Sequence, residues 1–232
     1  MFTVLIENKS YTCPTELTIK QWVDLSALNF ENEYHYAKIF SIVMGTPSDL
    51  VELVPRESLE LGMVLIYNLF IFESEKYKTE VNGHTLINFN NLKLSTFIDL
   101  DVLINDNLNK NFAKIVGILY EADEVDEWYI NDVYASVQFY LKYRSNLYKA
   151  YSNLFNLNTK SDESDELEED DFNKKNVAYE WYNVVCILAD EKYLNINSVL
   201  DTGVIESLNF LAWHKEKIKK QHDELSKSSN NF

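Results

Sequence analysis

The chain has 232 residues, 46% of them hydrophobic and 14% aromatic, with a formal net charge of -16 at pH 7. That length and apolar content suffice for a real core, and five glycines with three prolines are too few for a turn-rich sandwich or barrel, so a soluble, mainly helical protein is expected. The negative charge argues against nucleic-acid phosphates or anionic membrane surfaces as main targets, and no apolar run approaches the ~20 residues that span a bilayer. In chain order, Phe2 to Ile6 and the residues around Tyr11 alternate as two strands, with Glu7 to Ser10 as the turn. Thr15 or Thr18 caps a short helix carrying Leu17, Trp22, Leu25 and Leu28 on one side. A helix from about Glu33 to Met44 stops at Gly45 and Pro47, and Ser48 and Ser58 are expected to cap the next two. Asn82-Gly83 is a strong two-residue hairpin signal. Helices are expected at about Asn109 to Tyr120 and Asp126 to Leu157, then around Val177 to Leu188, and finally from Val204 to a frayed tail at Ser226.

Two stretches of this series match. Leu17, Ile19, Trp22, Asp24 and Leu25 recur as Leu92, Leu94, Phe97, Asp99 and Leu100, each 75 residues further on. The match extends backward from Ile6 to Tyr11 onto Val81 to Leu86, and forward from Tyr36 to Ile42 onto Phe112 to Ile118 after one inserted residue. Self-similarity in three ordered blocks points to tandem copies. The expected fold is therefore α+β, mainly α-helical: two tandem copies of a short β-hairpin followed by helices, then a C-terminal helical segment. Residues 1–75 form the first copy, 76–158 the second, 159–172 an acidic disordered linker, and 173–232 the C-terminal segment. Ser161 to Asp171 carries eight acids and no base, and adjacent carboxylates with nothing apolar to bury favour a solvated linker.

Chemistry is hard to find in this sequence. Phosphate loops, nucleophile elbows and paired metal ligands are missing, and Cys13 and Cys186 are isolated thiols, so neither an enzyme nor a cofactor is expected. Asp24 and Asp99 are the most suggestive acids, and bonding to backbone amides or capping a helix suits them better than acid-base catalysis. Leu17, Trp22, Leu92 and Phe97 are expected as the packing anchors of the two copies. A row of tyrosines between Asp126 and Leu157 offers large amphipathic surfaces, and Tyr140 and Tyr151, with Ile218 near the chain's end, are the candidate partner-binding residues.

The run from Tyr11-Thr12-Cys13-Pro14 to Leu25, its counterpart Asn91 to Leu100, and Lys114 to Tyr120 resemble tail and baseplate assembly proteins of contractile-tailed bacteriophages. Trp181 to Ala189 followed by Leu208 to Trp213 resembles the end of such chains, so the likeness touches most of the sequence outside the acidic stretch. It implies a baseplate hub assembly chaperone with no catalytic residues, acting on phage tail or baseplate proteins in the host-cell cytoplasm or the virion. The alternatives are a structural virion subunit and an acidic mimic that binds a basic host protein.

Overall fold

A computed structural model describes residues 2–28, 32, 35–70, 76–155 and 177–229. The acidic stretch 161–171 lies outside these residues. The chain is mainly α-helical, with two small antiparallel hairpins among the described residues. Strands β1 (Thr3–Ile6) and β2 (Lys9–Thr12) precede α1 (Ile19–Ser26), α2 (Tyr36–Met44), α3 (Ser48–Val51) and α4 (Arg56–Asn68). Strands β3 (Glu80–Val81) and β4 (His84–Thr85) precede α5 (Leu94–Asn107), α6 (Phe112–Tyr120) and α7 (Ile130–Ala150). The chain closes with α8 (Val177–Leu188), α9 (Ile196–Leu200) and α10 (Val204–Ser229). Two compact units result, Met1–Ile87 with Asn107–Phe139, and Asn88–Asp106 with Tyr140–Phe232. These boundaries differ from the division at residues 75 and 158. The second hairpin stays with the first unit, where the Ile87 amide bonds the Leu119 carbonyl at 2.9 Å, while α5 belongs to the second.

In the first unit the opening hairpin pairs Thr3 with Thr12 and Ile6 with Lys9. Its turn is only Glu7-Asn8, both at positive φ (47° and 65°), the twist that two-residue hairpins require. Asn82-Gly83 repeats this geometry at 51° and 83°. Thr18 caps α1 through a reciprocal box, its hydroxyl accepting from the Gln21 amide while the Gln21 side chain accepts from the Thr18 amide. Trp22 then packs on Phe112 of α6 with ring centroids 4.5 Å apart. Ser48 and Ser58 do not cap. Pro47 and Pro55 hold the cap positions, because proline's fixed φ and missing amide suit a helix start, and Ser58 lies inside α4 with its amide bonded to the Pro55 carbonyl. Helix α4 meets α2 at Gly62, where an added Cβ would sit 2.7 Å from the fully buried Phe40 ring. Gly62→Ala is therefore expected to lower stability by about 1–3 kcal/mol in urea denaturation, although alanine is the better helix former.

The two matched stretches make the same local structure in separate units. Thr18 forms an isolated antiparallel bridge with Tyr129, the Ile19 amide bonding Trp128 and the Ile130 amide bonding Leu17 (2.8 and 2.9 Å). Lys93 does the same with Gly203, the Leu94 amide bonding Thr202 and the Val204 amide bonding Leu92 at the same two lengths. Leu17, Trp22, Leu92 and Phe97 are all buried, as their spacing predicts. Asp24 and Asp99 are a correction: each lies inside a helix on its exposed side, so neither starts or caps one. The helix expected over Asp126 to Leu157 is the shorter α7, and α10 runs past Ser226 to Ser229.

Three helix ends share one device. The amides of Thr46, Ala122 and Glu191 reach back five residues to the carbonyls of Ser41, Gly117 and Cys186, beyond a left-handed residue at Gly45, Glu121 or Asp190. Such a cap satisfies carbonyls that the helix leaves unpaired and turns the chain sharply. The third case, after α8, lies outside the sequence match, and like the second it lacks the glycine that usually signals such a cap, with Glu121 and Asp190 in the left-handed positions.

Candidate functional site

The second unit buries a charge. In α5, Phe97, Leu100 and Asp101 all point inward, and Asp101 is fully buried. Helix α7 supplies Tyr140, Arg144 and Tyr148 at intervals of four, hence on one stripe. Arg144 Nε donates to Asp101 Oδ1 at 2.5 Å, and Asp101 Oδ2 accepts from Tyr148 Oη at 2.9 Å and Trp181 Nε1 at 2.7 Å. The Arg144 guanidinium also sits 4.8 Å from the Tyr148 ring centre. Burial opposes the Arg144 charge, but the Asp101 carboxylate outweighs it and holds the guanidinium pKa above its ordinary value. An unpaired carboxylate here would cost several kcal/mol, so its three donors are the condition for its presence.

Beside this cluster is a cleft of about 1040 Å³, lined by Asp101 and Trp181 together with Val184, Ile187, Leu211 and Ile218. His214 and Lys215 of α10 face it as well, and Lys215 donates to the Asn153 carbonyl. Both Asp101 oxygens are occupied by donors of its own chain, so the carboxylate is committed to structure rather than to proton transfer. Neither cysteine lines the cleft, and burial pushes the Cys13 thiol up, away from the thiolate. No group of three or more His, Cys, Asp or Glu residues suited to a metal occurs among the described residues. Leu154, Phe155, Val177 and Leu208 add to its apolar lining, and Asn105, Ser145, Lys149 and Glu180 to its polar lining.

The expected partner residues separate. Ile218 is 52% exposed and lines the cleft. Tyr151 lies past the end of α7, half-buried, and its hydroxyl donates to Asn209 at 2.8 Å. Tyr140 is a correction: it is fully buried against Phe89, with ring centroids 5.5 Å apart, and touches no surface, because the inward stripe of α7 passes through it. Its hydroxyl has no hydrogen-bond partner among the described residues. Tyr140→Phe removes that unsatisfied group without opening a cavity, so stability is expected to stay level or rise by about 1 kcal/mol in chemical denaturation. Asp101, Arg144, Tyr148 and Trp181 are the site residues that sequence reasoning missed; the available signal was a carboxylate on the inward side of an otherwise apolar helix face.

Burial is the first cause that pushes the Tyr120, Tyr140 and Tyr148 hydroxyls above the ordinary tyrosine pKa. A raised folded-state pKa means that the neutral form is favoured by folding. The contribution is whole below about pH 10, where unfolded tyrosine titrates, and is lost as pH rises above it. Alkaline titration followed at 295 nm should show these three ionising only with unfolding.

No described helix is long and apolar enough to cross a membrane. No protein-family model, curated protein or solved structure matches the chain.

Proposed function

We propose that this chain is a non-enzymatic assembly protein that holds a helical segment of a partner in the cleft of its second unit. The observation that carries this reading is a cleft whose buried carboxylate is answered internally and whose lining sets an apolar series, Val184, Ile187, Leu208, Leu211 and Ile218, beside polar side chains such as Asn105, Lys149 and Glu180. Its volume, about 1040 Å³, reaches the upper end of the range for small-molecule sites and suits a polypeptide segment, whose apolar stripe can lie between helices. Nucleic acid and membrane surfaces are poor partners for a chain of net charge -16. Following the resemblance of Leu17 to Leu25 and Leu92 to Leu100, the partner is a phage tail or baseplate component, and the chain acts as its chaperone. We also take these two stretches as copies of one unit, with the paired Thr18–Tyr129 and Lys93–Gly203 bridges in support.

The test is recovery of partners from phage-infected cells with the tagged chain and its Ile218→Asp variant, set beside the composition of purified virions. A tail or baseplate protein recovered by the parent and lost by the variant, with the chain absent from virions, supports the chaperone. Presence in virions at fixed copy number makes the chain a structural subunit. Capture of a basic host protein that ends when residues 161–171 are deleted makes it an acidic mimic.

A further inference from the structure

Helix α4, in the first unit, is apolar on two sides. Its inner side buries Gly62, Met63 and Ile66. Its outer side presents Leu61 at 56% exposure, Val64 at 60% and Leu65 at 37%. These three residues fall at intervals of three and four, so they form one continuous stripe. A surface helix packed on one side is ordinarily polar on the other, and one that is apolar on both is covered by something. One turn before the stripe, on the same side of the helix, stand the exposed acids Glu57 and Glu60, and the segment just before α4 adds exposed Asp49 and Glu52. Arg56, which pairs with Glu60 at 2.9 Å, is the single base between Pro47 and Asn68.

We propose that the outer face of α4 is a second docking surface, fitted to a partner helix whose apolar stripe is flanked by Lys or Arg. The charge pattern selects this occupant. A second copy of the chain would bring the same acids against one another in a two-fold contact and be repelled, whereas a basic flank meets them as counter-charges. This inference does not depend on the cleft, which lies in the other unit.

The probes are two 18-residue amphipathic peptides with the same leucine stripe, one flanked by lysine and one by glutamate, titrated into the full chain by fluorescence anisotropy. The lysine peptide is expected to bind and the glutamate peptide not to. The decisive variant is Leu61→Glu with Leu65→Glu. It makes the protein more acidic, so unspecific charge attraction would tighten binding, whereas loss of an apolar docking face weakens it by about tenfold or more. Val64→Ser reads the same face with no change of charge and guards against misfolding of the double variant, which circular dichroism checks. Ile218→Asp should leave this binding unchanged. Equal or tighter lysine-peptide binding by the double variant, equal binding of both peptides, or a concentration-dependent dimer that the double variant abolishes would each overturn the proposal.

Discussion

Asp101→Ala is expected to cost about 3–5 kcal/mol of stability, the loss typical when one partner of a buried ion pair is removed. The substitution strands three donors at once. Arg144, with its side chain only 21% exposed, keeps its charge without a counter-ion, and the Trp181 indole and Tyr148 hydroxyl lose the acceptor they share. Asp101→Asn should fall between, because its amide still offers one oxygen but turns two N–H groups toward a site already full of donors. A double variant, Asp101→Leu with Arg144→Met, separates the price of an orphaned charge from the value of the pair. Replacing a buried pair by apolar groups of similar size is often close to neutral, so the double variant is expected to be more stable than Asp101→Ala. Urea denaturation of the four proteins decides this. A loss below about 1 kcal/mol for Asp101→Ala would mean that water answers the donors and that the cluster is not sealed.

The same cluster marks the boundary of what the sequence reveals. Residues whose fate depends on local spacing were legible: Thr18 as a cap, Asn82-Gly83 as a turn, and Leu17, Trp22, Leu92 and Phe97 as inward positions. Each follows from chain geometry within a few residues. Asp101 was not: its place on the inward side of its helix hints at burial, but the partners that satisfy it lie 43, 47 and 80 residues away, beyond the reach of local spacing. The attractive acids, Asp24 and Asp99, were conspicuous through repetition, yet repetition preserves an exposed position as readily as a buried one. Tyr140 and Tyr151 look alike in sequence and lie eleven residues apart in a row of tyrosines; one fills the core and the other bonds Asn209. The outer stripe of α4 is visible in the sequence as apolar residues at helical spacing, but periodicity counts apolar positions without showing which side of a helix is already occupied.

The second large effect concerns the anchors themselves. Trp22→Ala and Phe97→Ala are each expected to cost about 3–5 kcal/mol, the usual range for deleting a buried aromatic ring. Trp22 packs on Phe112, and Phe97 meets Trp181 edge-to-face at 5.6 Å and 81°, so each ring joins the first helix of its bridge motif to the helix that ends in the shared left-handed cap. The residues behind them match too, with Ile19 and Leu25, like Leu94 and Leu100, fully buried. Burying such a ring contributes both transfer free energy and contacts that a smaller side chain cannot replace, which is why Trp22→Phe should recover more of the loss than Trp22→Ala. Hydrogen exchange locates the damage: Trp22→Ala should deprotect amides of α1 and α6, and Phe97→Ala those of α5 and α8. If the Phe97 variant instead left α8 protected, its ring would not be what holds Trp181, and the cleft wall that Trp181 helps to form would rest on its contacts with Asp101 and Phe155.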